Sequence, residues 1–308
     1  AHMLTNSSQI SVQNELVINW HITEACNFAC RYCYAKWDKP DASRELIHDL
    51  PRSTQLMSEL RTFFATANLT NPLCQKIQWR SIRLNFAGGE PLLYDQQVLR
   101  TIKMARELGF SVSMITNASR LNTGLIRELA PQLSLLGVSV DSTNAARNRE
   151  IGRCDKQGQV LSVNTLAKNI RTGREINPDL RLKINTVVNA LNFDEDMTDL
   201  IRELDPEKWK VLRMLPTVTN DLNISDAQFS AFIDRHASLT LSIEDNVDMT
   251  KSYIMIDPQG RFFQNDADSR GYRYSHPIID VGAEQAFSEV SLSADRYLAR
   301  YRSIAVAK

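Results

Sequence analysis

The chain has 308 residues, with 36 Lys and Arg balancing 36 Asp and Glu. That zero net charge excludes a protein held to nucleic acid or anionic lipid by bulk charge, while leaving room for local basic pockets. A content of 43% hydrophobic and 23% charged residues excludes disorder and collagen-like repeats. No run approaches 18 apolar residues, so no spanning helix is expected. Ala1-His2-Met3 reads as an expression-vector scar, and residues 1–15 as an N-terminal segment outside the fold.

From residue 16 to 215, short β-rich runs alternate with amphipathic helical stretches. The strands are expected at Leu16–His21, Ile82–Phe86, Ser111–Thr116, Leu135–Val140, Leu182–Val188 and Trp209–Met214. Between them, Leu56, Leu60, Phe63 and Phe64 fall at helical spacing, as do Val98, Ile102, Ala105 and Leu108, and Met197, Leu200, Ile201 and Leu204. Alternation of strand and helix predicts βαβ units on a parallel sheet. Beyond residue 215 the pattern changes. A helix is expected over Ile224–His236, capped by Ser225. A β-hairpin follows, Tyr253–Ile256 and Arg261–Phe263, with Asp257-Pro258-Gln259-Gly260 as its turn. Residues 216–308 read as a C-terminal extension able to cover a barrel mouth.

The strands carry an unusual polar face. A parallel strand covered on both sides should be almost continuously apolar. Here Asn19 and His21 alternate with Ile18 and Trp20, and Arg83 and Asn85 with Ile82, Leu84 and Phe86. Ser139 and Asp141 alternate with Val138 and Val140, Lys183 and Asn185 with Leu182 and Ile184, and Lys208 and Lys210 with Trp209 and Val211. Period two places these polar sets on one side of the sheet. An ordinary barrel fills its interior with branched aliphatics. Cations there need an anionic ligand to surround, because buried unpaired charge is very costly.

Five cysteines in a signal-less chain do not make a disulfide framework. Three lie in Cys26-x-x-x-Cys30-x-x-Cys33, directly after the first strand. Thiolates so clustered bind zinc or an iron–sulfur cluster, and three ligands leave one metal position open. Cys74 and Cys154 stand apart and read as bystanders. Ala87-Gly88-Gly89-Glu90-Pro91 follows the second strand; its glycines permit close backbone approach to a ligand, and Glu90 can accept from an ammonium.

The cysteine spacing, with Tyr32 before the last thiol, resembles the signature of the radical S-adenosylmethionine (SAM) superfamily. That resemblance implies an α/β fold, a partial (β/α)6 barrel of the radical SAM type, here with a C-terminal extension containing a β-hairpin. It also implies a [4Fe–4S] cluster on Cys26, Cys30 and Cys33 that chelates SAM, with Tyr32, Gly88, Gly89, Glu90, Asn117, Ser139 and Asp141 as cofactor-binding residues. A narrower resemblance, to the viperin family, covers about residues 16 to 282. It rests on Asn19-Trp20-His21-Ile22-Thr23, Ser139-Val140-Asp141-Ser142, Ile151-Gly152-Arg153, Lys183-Ile184-Asn185-Thr186-Val187-Val188-Asn189, Trp209-Lys210-Val211, Ser252-Tyr253-Ile254-Met255-Ile256-Asp257 and Ile279-Asp280-Val281-Gly282.

Viperins dehydrate a nucleoside triphosphate to its 3′-deoxy-3′,4′-didehydro form in antiviral, here antiphage, defence. The resemblance implies 4′-hydrogen abstraction and loss of the 3′-hydroxyl as water. Arg83, Asn85, Arg153, Lys183, Asn185, Lys208 and Lys210 would contact the substrate, Arg83 standing where the family has lysine, and Tyr253 would donate in the last step. A flavodoxin- or ferredoxin-type electron donor, a cytoplasmic monomer, and no nucleic-acid or membrane partner are the accompanying expectations. The competing reading is radical SAM chemistry on another phosphorylated small molecule or a peptide.

Overall fold

The structure, a computed structural model, describes residues 10–37, 44–216, 218–244, 252–266 and 271–301. The tag-like start at residues 1–9 lies outside them. Ten strands form one sheet: β1 Ser11–His21, β2 Ile77–Ala87, β3 Ser111–Thr116, β4 Leu135–Ser139, β5 Arg181–Val188, β6 Lys208–Arg213, β7 Leu241–Glu244, β8 Ile254–Ile256, β9 Arg261–Asp266 and β10 Gly271–Pro277. The helices are α1 Leu50–Phe63, α2 Asp95–Glu107, α3 Thr123–Leu129, α4 Ala145–Ile151, α5 Val163–Ile176, α6 Thr198–Leu204 and α7 Asp226–Arg235. Three more among the described residues are α8 Ile278–Val281, α9 Ala283–Ser288 and α10 Ala294–Tyr301.

The strand order is β10-β9-β8-β1-β2-β3-β4-β5-β6-β7. Strands β1 to β7 are parallel neighbours, joined through helices as crossovers between parallel strands require. Strand β8 also runs parallel to β1, while β9 and β10 fold back antiparallel. The C-terminal region therefore extends both edges of the sheet as well as adding helices. Strand β1 begins at Ser11, inside the segment read as N-terminal, because Ser11, Val12 and Gln13 pair with Ile77, Gln78 and Trp79.

Helix starts follow from the capping residues. Asp49 accepts from the Arg52 amide at 3.0 Å ahead of Pro51, and Ser162 accepts from the Thr165 amide. At α7, Ser225 and Gln228 form a reciprocal capping box, as expected for Ser225. The 257–260 turn closes the β8–β9 hairpin, with Gly260 at φ +79 and the Asp257 carboxylate accepting from the Gln259 and Arg261 amides. Its tip packs beneath Leu46, whose amide donates to the Pro258 carbonyl at 3.0 Å.

Alternation along the strands separates two environments. Leu16, Ile18 and Trp20 of β1, Leu84 and Phe86 of β2, and Leu182 and Ile184 of β5 are buried in one continuous core with the helices. The intervening residues face inward onto a cavity of about 1080 Å³. Curvature is evident from the edges. At about 4.8 Å per strand, a flat sheet would hold β7 and β8 roughly 34 Å apart. Instead the Tyr253 hydroxyl donates to Glu244 Oε1 at 2.9 Å. The sheet is thus curled into a partial barrel, bringing β7 against the residue that leads into β8 through side chains.

Candidate active site

Strand β1 ends at His21, and residues 22–33 form the loop that carries Cys26, Cys30 and Cys33. Two glycine contacts fix this loop. On one side the Gly89 amide donates to the Thr23 carbonyl at 2.7 Å and the Glu90 amide to the Ala25 carbonyl at 2.8 Å. A Cβ on Gly89 would stand 2.0 Å from the Ala25 oxygen, and one on Gly88, at φ +136, 2.6 Å from the Thr23 oxygen. On the other side the Ala29 amide donates to the Gly152 carbonyl, and a Cβ on Gly152 would lie 2.1 Å from the Ala29 oxygen. The close approach expected of Gly88 and Gly89 is therefore made by the chain's own cysteine loop.

All three thiols line the large cavity, Cys26 exposed and the other two half-buried. Burial pushes the Cys30 thiol up to about 11, despite Arg153, and also raises Cys26. Three N–H donors face these sulfurs: the Phe28 amide, 3.4 Å from Cys26 Sγ, Asn117 Nδ2, 3.9 Å from the same sulfur, and Arg153 Nη1, 3.6 Å from Cys30 Sγ. Among the described residues no three His, Cys, Asp or Glu side chains gather around one point as a single metal ion would need. Thiols on a common wall, with donors aimed at sulfur, fit a cluster of several irons, whose ligands stand wider apart and whose sulfurs take hydrogen bonds. Cys74, by contrast, donates to the Asn68 carbonyl at 3.4 Å, away from this wall.

Beside the thiols lies a buried polar group. Arg153 donates through Nη2 to the Ser139 carbonyl at 2.7 Å and through Nη1 to the Tyr32 hydroxyl at 3.3 Å. The Tyr32 hydroxyl in turn donates to Asp141 Oδ2, while Asp141 Oδ1 accepts from the Val187 amide at 3.0 Å. Burial raises the Asp141 carboxyl even with Arg153 beside it. Arg153, expected at the phosphates, thus stands at the thiol end, tying the cysteine loop to β4.

The remaining cations line the stretch of wall set by earlier strand positions. Gly137, Lys183 and Lys208 share one register row, and Ser139, Asn185, Lys210 and Ser242 the next. Among the described residues neither Lys183 nor Lys208 has a hydrogen-bond or ion-pair partner. Burial, with Lys210 and Lys208 nearby, holds the Lys183 ammonium well below its ordinary range. Arg83 is paired instead, donating to Glu15 Oε2 at 3.0 Å and to Ser113 Oγ at 2.8 Å. Asn85 donates to Asn19 Oδ1 at 2.9 Å and accepts from Ser113 Oγ at 2.7 Å, a chain of amides and hydroxyl across β1, β2 and β3.

Lys210 contacts Glu244 Oε1 at 2.6 Å and the Tyr253 hydroxyl at 2.5 Å. Burial alone would raise the Glu244 carboxyl, but Lys210 and Arg300 outweigh it and hold the group at about 2. Glu244 and Arg300 were not foreseen from sequence. Four residues of β7 are too few to display a period, and Arg300 sits in an ordinary amphipathic helix.

One expected residue does not reach the cavity. Glu90 is fully buried, its Oε1 accepting from Thr116 Oγ1 at 2.6 Å and the Leu92 amide at 3.0 Å, its Oε2 from the Asn117 amide at 2.7 Å. The carboxylate caps its own loop and orients Asn117. Every other expected site residue, Tyr253 included, lines the cavity wall.

A sequence profile described as the Radical SAM superfamily matches residues 20–204, the span from the first strand through α6. A protein of Psychrobacter lutiphocae named S-adenosylmethionine-dependent nucleotide dehydratase is 42% identical over 94% of this chain and 95% of its own length. The chain belongs to the radical SAM superfamily, in its viperin family. A Pseudoalteromonas ulvae protein of the same name is 38% identical, covering 94% of both chains. In fold, this radical SAM protein is similar to native anSMEcpe with bound AdoMet and Kp18Cys peptide. The TM-score is 0.63 at 12% identity, over 93% of this chain and 82% of that one. Among its described residues no helix is long and apolar enough to cross a membrane.

Proposed function

We propose that the protein is a radical SAM nucleotide dehydratase. In this reading it converts a nucleoside triphosphate to the 3′-deoxy-3′,4′-didehydro nucleotide, in the antiviral setting of its family. The observation that carries this is the pair Lys183 and Lys208, two ammonium groups with no hydrogen bond or ion pair among the described residues, on one cavity wall with the cysteine loop. Half-buried ammonium groups crowded on one wall repel one another, and a triphosphate supplies negative charge that favours their protonated form. That demand favours a phosphorylated substrate over a peptide.

Cys26, Cys30 and Cys33 would hold a [4Fe–4S] cluster, which supplies the electron that cleaves SAM to methionine and a 5′-deoxyadenosyl radical. A flavodoxin- or ferredoxin-type protein would deliver that electron. Asn117, oriented by Glu90, together with Ser139 and Asp141, would meet SAM. With the phosphates on Lys183, Lys208 and Lys210, the ribose would be directed toward the thiols, and Asn85 and Asn185 would hold its hydroxyls. Fixing the ribose in this way brings the 4′ hydrogen to a single reactive centre and excludes competing hydrogens. Tyr253, whose hydroxyl bridges Lys210 and Glu244, would supply the last electron and proton, the electron completing the alkene and the proton leaving with the 3′-hydroxyl as water.

The test is to reconstitute the cluster anaerobically and supply reductant, SAM and each nucleoside triphosphate in turn. One triphosphate is expected to stimulate 5′-deoxyadenosine formation and to yield a nucleotide lighter by one water. If none does so, the substrate class is wrong.

A further inference from the structure

Tyr253 immediately precedes β8, where Ile254 and Ile256 face the core and Tyr253 and Met255 the cavity. The Tyr253 ring borders the Trp37, Met255 and Phe263 cluster, and Lys210 Nζ of β6 lies 5.2 Å from its centroid. A nearer covering group comes from α10. The Arg300 guanidinium carbon lies 3.5 Å from the centroid of the Tyr253 ring. Arg300 Nη1 bonds both the Tyr253 hydroxyl and Glu244 Oε1, and its Nε donates to Ser252 Oγ at 2.6 Å. Lys210 donates to the same hydroxyl from β6. With two cationic donors at its oxygen, the phenol donates its hydrogen to Glu244 Oε1 at 2.9 Å.

The helix that carries Arg300 is itself anchored. Tyr297, fully buried and three residues earlier on the same face, accepts through its hydroxyl from the Val17 amide of β1 at 2.8 Å. We propose that Arg300 is a positioning residue for the reaction. It stacks on and bonds to Tyr253, so that docking of α10 on β1 sets where the phenol stands in the cavity. A planar guanidinium can stack on a ring and bond sideways at once, whereas an ammonium offers only a point charge. This deepens the dehydratase reading and rests on it for the role of Tyr253.

The experiment compares Arg300→Lys, Arg300→Ala, Tyr253→Phe and the double variant Arg300→Ala/Tyr253→Phe. Each is assayed for dehydrated nucleotide formed per 5′-deoxyadenosine and for KM of the triphosphate. Displacing a reacting group by an ångström costs up to about 100-fold, so both Arg300 variants should lose coupling by roughly 10- to 100-fold. Their KM should change little, and the double variant should be no worse than Tyr253→Phe alone. Raised KM with coupling intact overturns the proposal and makes Arg300 a phosphate contact. A second readout needs neither SAM nor substrate. With 3-fluorotyrosine incorporated in place of Tyr253, the 19F signal should shift in Arg300→Lys while far-UV circular dichroism is unchanged. An unmoved signal overturns the proposal even if no triphosphate proves to be a substrate.

Discussion

Lys210 stands between opposing influences whose balance decides its charge. Burial, aided by Arg300 and Lys208, outweighs the Glu244 carboxylate and brings the ammonium down to about 8. Below that pH it is protonated and able to hold a phosphate; above it the charge is lost. The profile of kcat/KM reports groups in the free enzyme, so for the triphosphate it should fall as pH rises through about 8. Lys210→Arg should carry that limb to higher pH, since a guanidinium stays charged. An unmoved limb would assign it to another group. Stability runs the opposite way. Unfolded lysine keeps its proton to about 10.4, so between the two values the unfolded chain binds more protons and the fold gains stability with rising pH. At this scale the sequence was readable where period-two alternation marked a polar face, as for Lys183, Asn185 and Lys210. The bonding of Glu90 was not readable, because Thr116 and the Asn117 amide that hold its carboxylate come from a different strand end.

At the scale of elements, the cysteine loop is held between the turn after β2 and the end of α4. Gly89 and Gly152 make this possible by leaving room for the Ala25 and Ala29 carbonyls. A methyl at either position must push the loop away, at a cost of about 1–3 kcal/mol. Gly152→Ala, strained further by its φ of +90, should fold but bind markedly less iron after reconstitution. Iron content at the wild-type level would show that the loop finds its geometry without this contact. The Ile151-Gly152-Arg153 string was thus visible in sequence, but not its role as a clamp, which depends on a loop about 120 residues earlier. Helices α1, α2 and α6 were legible from their apolar stripes, whereas α5, as long as α1, was not assigned. Strand β7 and the first residues of β1 were not, since their pairing is decided by the neighbouring strand.

For the whole molecule, the core between sheet and helices contains none of the three loop cysteines. Folding should therefore precede cluster binding. The variant Cys26→Ala/Cys30→Ala/Cys33→Ala should keep its far-UV circular dichroism and melt within roughly 2 °C of the metal-free protein, a shift worth about 1 kcal/mol. A collapsed melt would mean that the thiols contribute to the fold itself. The zero net charge also acquires an internal meaning, with Lys183, Lys208 and Lys210 concentrated on the cavity wall.

Strand β7 has a strand partner on its β6 side, and its Glu244 meets the residue leading into β8, Tyr253, through side chains, with Lys210 and Arg300 around them. Every other junction between neighbouring strands is a ladder of backbone bonds. Parting this seam sacrifices a handful of side-chain contacts and leaves each ladder whole, so the cylinder can widen there, like a cuff, without any strand unravelling.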